Sequence, residues 1–245
     1  MWTLYDYKAP SENFKLLVGV PDVGLVGPIA ASFLVRTLDL EMIAQLDSDE
    51  MPPLLLFHKA RPLLPVRIYG KDDICILISE VAISPKVMPQ LAKTVVDWAV
   101  KRKVASIIAL SGIPVPNRIE IKTPKVYGAA IMDDDRAFLE RNGIEILKEG
   151  FMSGLHALIM KKCFLRKISG IALLVEAYLN YPDPGAAASL VSTLSKLYDL
   201  KVDVTPLKEQ EEEIRIKLRE LMKRTMETIR QTGKEYEYTL PPMYA

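Results

Sequence analysis

The chain has 245 residues, of which 49% are apolar and 26% are charged, and its formal net charge at pH 7 is +1. This length suffices for one large α/β domain or two small ones, and the near balance of charge argues against a nucleic-acid partner. No stretch reaches the roughly 18 uninterrupted apolar residues of a membrane span, and no export signal is recognisable, so we expect a soluble, cytoplasmic protein with no membrane partner.

The first half of the chain alternates between strand and helix signals. Residues 14–20 are an apolar run with Lys15 as its one charged residue, and Gly19, Gly24 and Gly27 surround the turn that leads into a helix signal at residues 28–38. A buried strand, a glycine turn and a helix in this order open a βαβ unit. Further strands are predicted at residues 2–7, 41–46 and 74–81, and a helix is predicted at residues 84–101 with Met88, Leu91, Val95 and Trp98 on its apolar face.

Residues 51–65 form an apolar connector that is rich in proline. Pro52, Pro53 and Pro62 exclude a regular central strand there. Because an exposed apolar loop is a liability on a monomer, we expect this segment to lie partly at a subunit contact. The residues assigned to that contact are Leu54, Leu55, Leu56, Leu63 and Leu64.

The second half of the chain continues the alternation. Strands are predicted at residues 105–110, 126–132, 144–147, 168–175 and 201–204, and helices at residues 134–141, 155–165 and 186–198. This order favours an α/β fold in which helices cover both faces of a mostly parallel sheet. We expect residues 1–204 to form this sheet and its helices as one core domain.

Residues 205–245 are expected to add a long helix and an extended tail to the core domain. Thr205 and Pro206 are typical of an N-cap and a first helical residue, and no Gly or Pro follows until Gly233, which is expected to end the helix. One face carries residues at helical spacing: Ile214, Leu218, Leu221, Met222, Thr225, Met226 and Ile229. Because that face requires an apolar neighbour, Ile214, Leu218 and Leu221 are also assigned to an oligomer contact.

Six residues are predicted near the carboxyl ends of strands, where open α/β sheets build ligand crevices. They are Asp22, Gly24, Glu80, Ser111, Glu176 and Asp183. Carboxylates in such a crevice could act as acid and base in a hydrolase or a transferase, but turns and helix caps select the same residue types without any chemistry. The glycine turn fits no phosphate-loop spacing, and close helix packing alone would account for its glycines.

The sequence supplies little for metal or covalent catalysis. His58 and His156 have no Cys or carboxylate at metal-ligand spacing, and no G-x-S-x-G turn is present. Cys75 and Cys163 lie in apolar runs, which is typical of buried, reduced thiols. We therefore assign no catalytic residue, no metal and no cofactor.

The last residues, 234–245, contain three tyrosines and two prolines without apolar periodicity, so we expect them to be extended and mobile. The chain ends in Met243, Tyr244 and Ala245, which together offer an apolar side chain, a phenol and a terminal carboxylate. A pocket with a basic residue can capture such an end. This end also matches the hydrophobic-Tyr-any motif by which proteasome activators dock between the α-subunits of the core particle.

Four motifs in order resemble the proteasome assembly chaperone family, and in particular its archaeal homologues. They lie at residues 19–27, 111–114 and 150–155 and in the pair of segments 174–177 and 181–187, and the resemblance extends over residues 14–221. It implies a three-layer α/β/α core similar to nucleoside phosphorylases and no established catalysis. It also implies homo-oligomers or complexes with a related family subunit, and binding to the proteasome α-ring.

The sequence as a whole predicts a non-enzymatic, homo-oligomeric chaperone or activator that binds the 20S core particle through Met243, Tyr244 and Ala245, with several weak tails acting together. Two alternatives stay open at this point. One is an enzyme that acts on nucleosides or other small metabolites in the strand-end crevice. The other is an adaptor whose helix face is covered by another subunit and whose tail is tucked away.

Overall fold

The computed structural model describes residues 1–232, which form a nine-stranded sheet between two layers of helices. The described strands are β1 (Trp2–Asp6), β2 (Lys15–Gly19), β3 (Glu41–Ser48), β4 (Leu56–His58), β5 (Arg61–Leu63), β6 (Val66–Lys71), β7 (Ile74–Ser79), β8 (Ser106–Pro114), β9 (Val126–Ala130), β10 (Glu145–Ile146) and β11 (Gly170–Ala177). The described helices are α1 (Val26–Thr37), α2 (Met88–Lys101), α3 (Asp133–Arg141), α4 (Gly154–Arg166), α5 (Pro184–Tyr198), α6 (Thr205–Glu209) and α7 (Glu211–Thr232).

The sheet has a parallel centre and antiparallel flanks. Its strand order is β1-β3-β6-β7-β2-β8-β11-β9-β10, and the neighbours among β7, β2, β8 and β11 all pair in parallel. Antiparallel pairs extend this centre through β6, β3 and β1 on one side and through β9 on the other, where β10 adds a short parallel pair with β9 at the edge. The predicted α/β fold is therefore confirmed, with the parallel strands at the middle of the sheet, where helices cover both faces.

Side chains of the central strands enter two separate hydrophobic cores. Along β2, Leu16 and Val18 belong to one core and Leu17 belongs to the other, because successive side chains of a strand point to opposite faces of the sheet. Helices α2 and α4 cover the first core, and α1, α5 and α7 cover the second. This is the three-layer arrangement that the resemblance implies.

The glycine turn after β2 brings α1 close to the sheet. Gly24 has a φ of +60°, in the left-handed region that glycine adopts without strain. A Cβ atom on Gly27 would lie 2.5 Å from the carbonyl oxygen of Leu110 in β8, closer than any side chain tolerates. The glycines therefore serve backbone geometry and close packing of the helix.

Most predicted elements are present, but several of their ends were wrong. The helix expected from residue 84 begins at Met88, and residues 201–204 form no strand but pack Val202 and Val204 against the second core from an irregular segment. Strands β8 and β11 continue to Pro114 and Ala177, so Ser111 and Glu176 lie inside strands and not beyond their ends.

Two features of the first half were not predicted. One is strand β6, which directly follows the proline-rich connector. The other is a two-stranded ribbon that β4 and β5 form within the connector itself. This ribbon pairs with no strand of the main sheet, which agrees with the exclusion of a central strand there.

The predicted single C-terminal helix was also wrong, because α6 and α7 are separated at Gln210. Glu209 and Glu213 would face each other one turn apart in a continuous helix, and like charges at that spacing disfavour it. Thr205, the expected N-cap, is instead the first residue of α6, and its N–H and hydroxyl donate hydrogen bonds to the Asp203 carboxylate. The expected C-cap, Gly233, lies outside the described residues.

Candidate functional site

Asp22 is the centre of a buried polar cluster at the carboxyl end of β2. Ser111 donates its hydroxyl hydrogen to Asp22 Oδ2 at 2.6 Å, and His156 Nδ1 lies 2.9 Å from the same oxygen. His156 Nε2 faces the carbonyl oxygen of Val18 at 3.3 Å. The cluster ties β2, β8 and α4 together.

The cluster does not have the geometry of a nucleophilic triad. In a Ser-His-Asp hydrolase the hydroxyl donates to the imidazole, whereas here Ser111 donates to the carboxylate of Asp22. The adjacent cavity has a volume of about 20 Å³, which is enough for about one water molecule. Thr228, Ile229 and Thr232 in the last turns of α7 line this cavity. The arrangement is therefore suited to holding elements together, and the described residues leave no room there for a metabolite.

Asp183 forms a second buried polar centre, at the start of α5. Its carboxylate accepts both guanidinium contacts of Arg118, at 2.8 and 2.9 Å, and the backbone N–H of Ala186, at 2.9 Å. Its own backbone N–H donates to the carbonyl oxygen of Gly24 at 2.8 Å. The Asp183 side chain is fully buried and that of Arg118 is 8% exposed. This ion pair fixes the loop before β9 and the glycine turn against the N-terminus of α5.

Two arginines from distant parts of the chain lie close to the ring of Tyr178. The guanidinium of Arg118 lies 5.1 Å from the centre of the tyrosine ring, and that of Arg215 in α7 lies 5.7 Å from it. Arg215 Nε also donates to the carbonyl oxygen of Pro182 at 3.3 Å. These contacts hold α7 to the loop between β11 and α5.

The other two predicted crevice carboxylates have partners of their own. Glu176 accepts a hydrogen bond from the backbone N–H of Lys125 at 2.9 Å. Glu80 pairs with Arg67, whose side chain is buried at the end of β6. The six predicted residues thus do not line one crevice. Asp22 is joined to Ser111, Asp183 is joined to the Gly24 turn, and the two glutamates stand apart from both groups.

Ile214, Leu218 and Leu221 lie half-buried on the inner face of α7 and pack against the second core. They also line a groove of about 470 Å³, the α1–α7 groove, together with Glu80. The remaining lining residues are Pro28, Ile29, Ser32, Arg36, Ser79, Leu207, Gln210, Glu213 and Lys217. The structure therefore places one predicted crevice residue and three predicted oligomer-contact residues at the same groove.

The other predicted oligomer contact forms an exposed feature that we call the apolar ribbon, residues 54–64. Its strands β4 and β5 pair only with each other, and its last residue, Leu64, is hydrogen-bonded to the side chains of Gln45 in β3 and Arg67 in β6. Leu54 and Leu55 are exposed, and Leu56, Leu63 and Leu64 are partly buried. Phe57, which no sequence pattern marked as a contact residue, is 72% exposed.

Residues 1–232 contain no group of three or more His, Cys, Asp or Glu side chains placed to hold a metal ion. Burial raises the pKa of both the Cys75 and the Cys163 thiols to about 12, so both stay protonated at neutral pH. Among the described helices, none is both long and apolar enough to cross a membrane. The predicted docking residues Met243, Tyr244 and Ala245 lie outside the described part of the chain.

Comparisons with known proteins give consistent matches over nearly the whole chain. The model of the PAC2 family matches residues 16–222. The uncharacterized protein MJ0106 of Methanocaldococcus jannaschii is 31% identical over 97% of this chain and 95% of its own length.

Two solved structures from Pyrococcus furiosus have the same fold. PbaA, an archaeal homolog of proteasome-assembly chaperone, has a TM-score of 0.87 and 32% identity, with 93% of this chain and 99% of PbaA covered. PbaB, an archaeal proteasome activator, has a TM-score of 0.75 and 26% identity, with 89% of this chain and 98% of PbaB covered.

Proposed function

Because the chain belongs to the PAC2 family, we propose that it acts on the proteasome core particle as an assembly chaperone or an activator, without catalysis of its own. The observation that carries this proposal is the similarity to PbaA and PbaB over nearly the full length of each chain. Family membership also confirms the resemblance that the sequence motifs indicated. The buried polar clusters support the non-enzymatic role, since each carboxylate already has partners within its own chain.

We further propose that the chain works in two parts. Residues 1–204 form the body, and residues 205–245 carry the docking sequence. In this proposal the Met243 side chain and the Tyr244 ring enter a pocket between α-subunits of the core particle, and the Ala245 carboxylate pairs with a cation there. Both cysteines are buried free thiols, which suits a reducing cytoplasm.

Affinity is proposed to come from several tails on one homo-oligomer. Ordering a dozen tail residues costs conformational entropy, so a single tail binds weakly. Once one tail is docked, the others act at a high effective concentration, and the complex becomes tight without any new contact. A related family subunit in a mixed oligomer could supply further tails in the same way.

The experiment is a pull-down of 20S core particles with the intact protein and with a protein that lacks Met243, Tyr244 and Ala245. Loss of binding, at unchanged oligomer mass, is expected for the shortened protein. Tyr244→Ala should behave like the deletion, whereas Tyr238→Ala, which changes a tyrosine outside the terminal motif, should bind like the intact protein. Equal capture of the intact and shortened proteins would contradict the proposal.

A further inference from the structure

The two edges of the main sheet differ in how well they are protected against pairing with another strand. At one edge, β10 has only two residues, and its Glu145 forms an ion pair with Lys125. At the other edge, β1 has five residues without proline or lysine, and its pairing with β3 runs without a register shift. Its one charged side chain, Asp6, accepts hydrogen bonds from Trp98 and Arg102 of its own chain. Strand β1 thus lacks the features by which edge strands usually avoid a further strand.

The backbone groups on the outer side of β1 come from alternate residues. The Tyr7 N–H donates to the carbonyl oxygen of Ile43 in β3 at 2.9 Å. Because successive residues of a strand direct their N–H and C=O groups to opposite sides, Trp2, Leu4 and Asp6 direct theirs away from β3. Within residues 1–232, β3 is the only strand that pairs with β1. The outer side of β1 is therefore available to a second strand.

A second copy of β1 supplies the same backbone groups in the matching order. If two β1 strands lie antiparallel with Leu4 opposite Leu4, Trp2 of each copy meets Asp6 of the other, and about six backbone hydrogen bonds form. Between these pairs, Thr3 lies opposite Tyr5, and a β-branched residue opposite an aromatic ring is a stabilising cross-strand pair. A centre at Asp6 would instead place two carboxylates opposite each other, and a centre at Trp2 would leave Asp6 without a partner strand. The sequence of β1 is therefore complementary to itself in this register.

The exposed side chains beside this edge are of the types enriched at protein interfaces. Tyr5 and Tyr7 are 46% and 59% exposed, whereas the residues of β1 that alternate with them point to the first core. The Tyr7 hydroxyl accepts a hydrogen bond from Gln45 Nε2 at 3.0 Å, and Gln45 Oε1 accepts one from the N–H of Leu64, the last residue of the apolar ribbon. The two tyrosines and the apolar ribbon therefore lie on the same side of this flank of the sheet. Tyrosine and other large apolar residues there favour a protein partner.

We propose that two copies of the chain pair through their β1 strands, antiparallel about Leu4. The two nine-stranded sheets then become one continuous sheet. The contact is isologous, because the same strand serves on both sides, so it closes with two copies and leaves no free β1 edge. The inference rests on the proposed function only in requiring a homo-oligomer, and this dimer is the smallest unit that carries more than one tail.

The first test compares two double variants of the full-length chain by sedimentation. Thr3→Lys with Tyr5→Lys places like charges opposite each other in the proposed dimer, so the dissociation constant should rise at least about tenfold. Thr3→Glu with Tyr5→Lys places opposite charges there, so this variant should dimerise at least about tenfold more tightly than the first. The control is Ile119→Lys with Leu165→Lys, which adds positive charge at two exposed positions elsewhere and should assemble like the intact protein.

Cysteine cross-linking tests the register of the two strands. In the proposed dimer, position 3 of one copy lies opposite position 5 of the other, at a distance that a disulfide can span. With oxidised glutathione, a mixture of Thr3→Cys and Tyr5→Cys chains should therefore form a linked dimer at least about tenfold faster than either variant alone. Cys75 and Cys163 are buried and should not compete.

A monomeric intact protein would overturn the inference. The same holds if the double lysine variant assembles like the intact protein, if both double variants lose assembly equally, or if the cysteine mixture is linked no faster than the single variants. Circular dichroism should show that all variants are folded, because positions 3 and 5 are exposed. The proposed function fails by a different result, namely unchanged capture of core particles after removal of Met243, Tyr244 and Ala245.

Discussion

The residues at the strand ends and the residues of the apolar ribbon differ in how many partners they have within their own chain. At the strand ends, Asp22 and Asp183 are buried and each receives several hydrogen bonds from within the chain. On the apolar ribbon, Phe57 and the charges beside it have no partner of this kind among the described residues. The buried carboxylates at the strand ends are thus held by partners within the chain, whereas the exposed residues of the ribbon are apolar. This contrast supports the proposed role as a binding protein.

The largest predicted loss of stability follows from Asp183→Ala. Removing this carboxylate leaves Arg118 as an unpaired buried charge and removes the N-terminal hydrogen bond of α5, so the free energy of unfolding should fall by about 3–5 kcal/mol. Denaturant titration followed by circular dichroism measures this change. The control is Asp133→Ala, which removes an exposed ion pair with Arg136 and should have little effect. Similar stability of the two variants would show that the buried pair is not a structural centre.

The buried cysteines should react far more slowly than exposed thiols. A pKa raised from 9.0 to about 12 lowers the thiolate fraction at pH 8 about thousandfold for Cys75 and for Cys163. Alkylation by iodoacetamide, followed by mass spectrometry, should label neither residue in the native protein and both residues in denaturant. Rapid native labelling at either site would mean that the core opens more readily than its packing indicates.

Asp22→Asn should lower stability less than Asp183→Ala does. The amide keeps the size of the side chain but loses the charged acceptor shared by Ser111 and His156, which should cost about 1–3 kcal/mol. Thermal-shift measurements with nucleosides and phosphate should show no stabilisation of either the intact protein or this variant. Stabilisation of the intact protein alone would instead place a ligand at the strand ends.

The smallest expected effect comes from Arg215→Ala. This change removes one of the two arginine contacts with the Tyr178 ring and the hydrogen bond to the carbonyl oxygen of Pro182. The expected loss is about 0.5–1 kcal/mol, and hydrogen exchange in α7 should accelerate while α5 stays protected. Arg219→Ala, at an exposed position of the same helix, is the matched control. Equal exchange in both variants would argue that the arginine contacts do not hold α7 in place.

The layered fold could be predicted from the sequence because its central strands are continuous apolar runs that alternate with helical signals. Strand β6 could not, since its buried Arg67 looks like a surface residue until Glu80 and Tyr69 are placed beside it. The sequence Asp183-Pro184 is typical of a helix N-cap, so this role of Asp183 could be predicted locally. Its ion-pair partner Arg118 could not be predicted, because it lies 65 residues away in the sequence. Phe57 is exposed because β4 and β5 pair with each other and not with the main sheet. No local sequence pattern predicts this separate pairing.

The most direct test of this contrast between strand ends and recognition surfaces is the affinity of immobilised core particles for three proteins. These are the intact chain, Asp22→Asn, and the chain without Met243, Tyr244 and Ala245. We expect the first two to bind equally at a temperature where both are folded, and the third to lose binding while keeping its assembly mass. Binding that survives removal of the three terminal residues but is lost in Asp22→Asn would contradict the account.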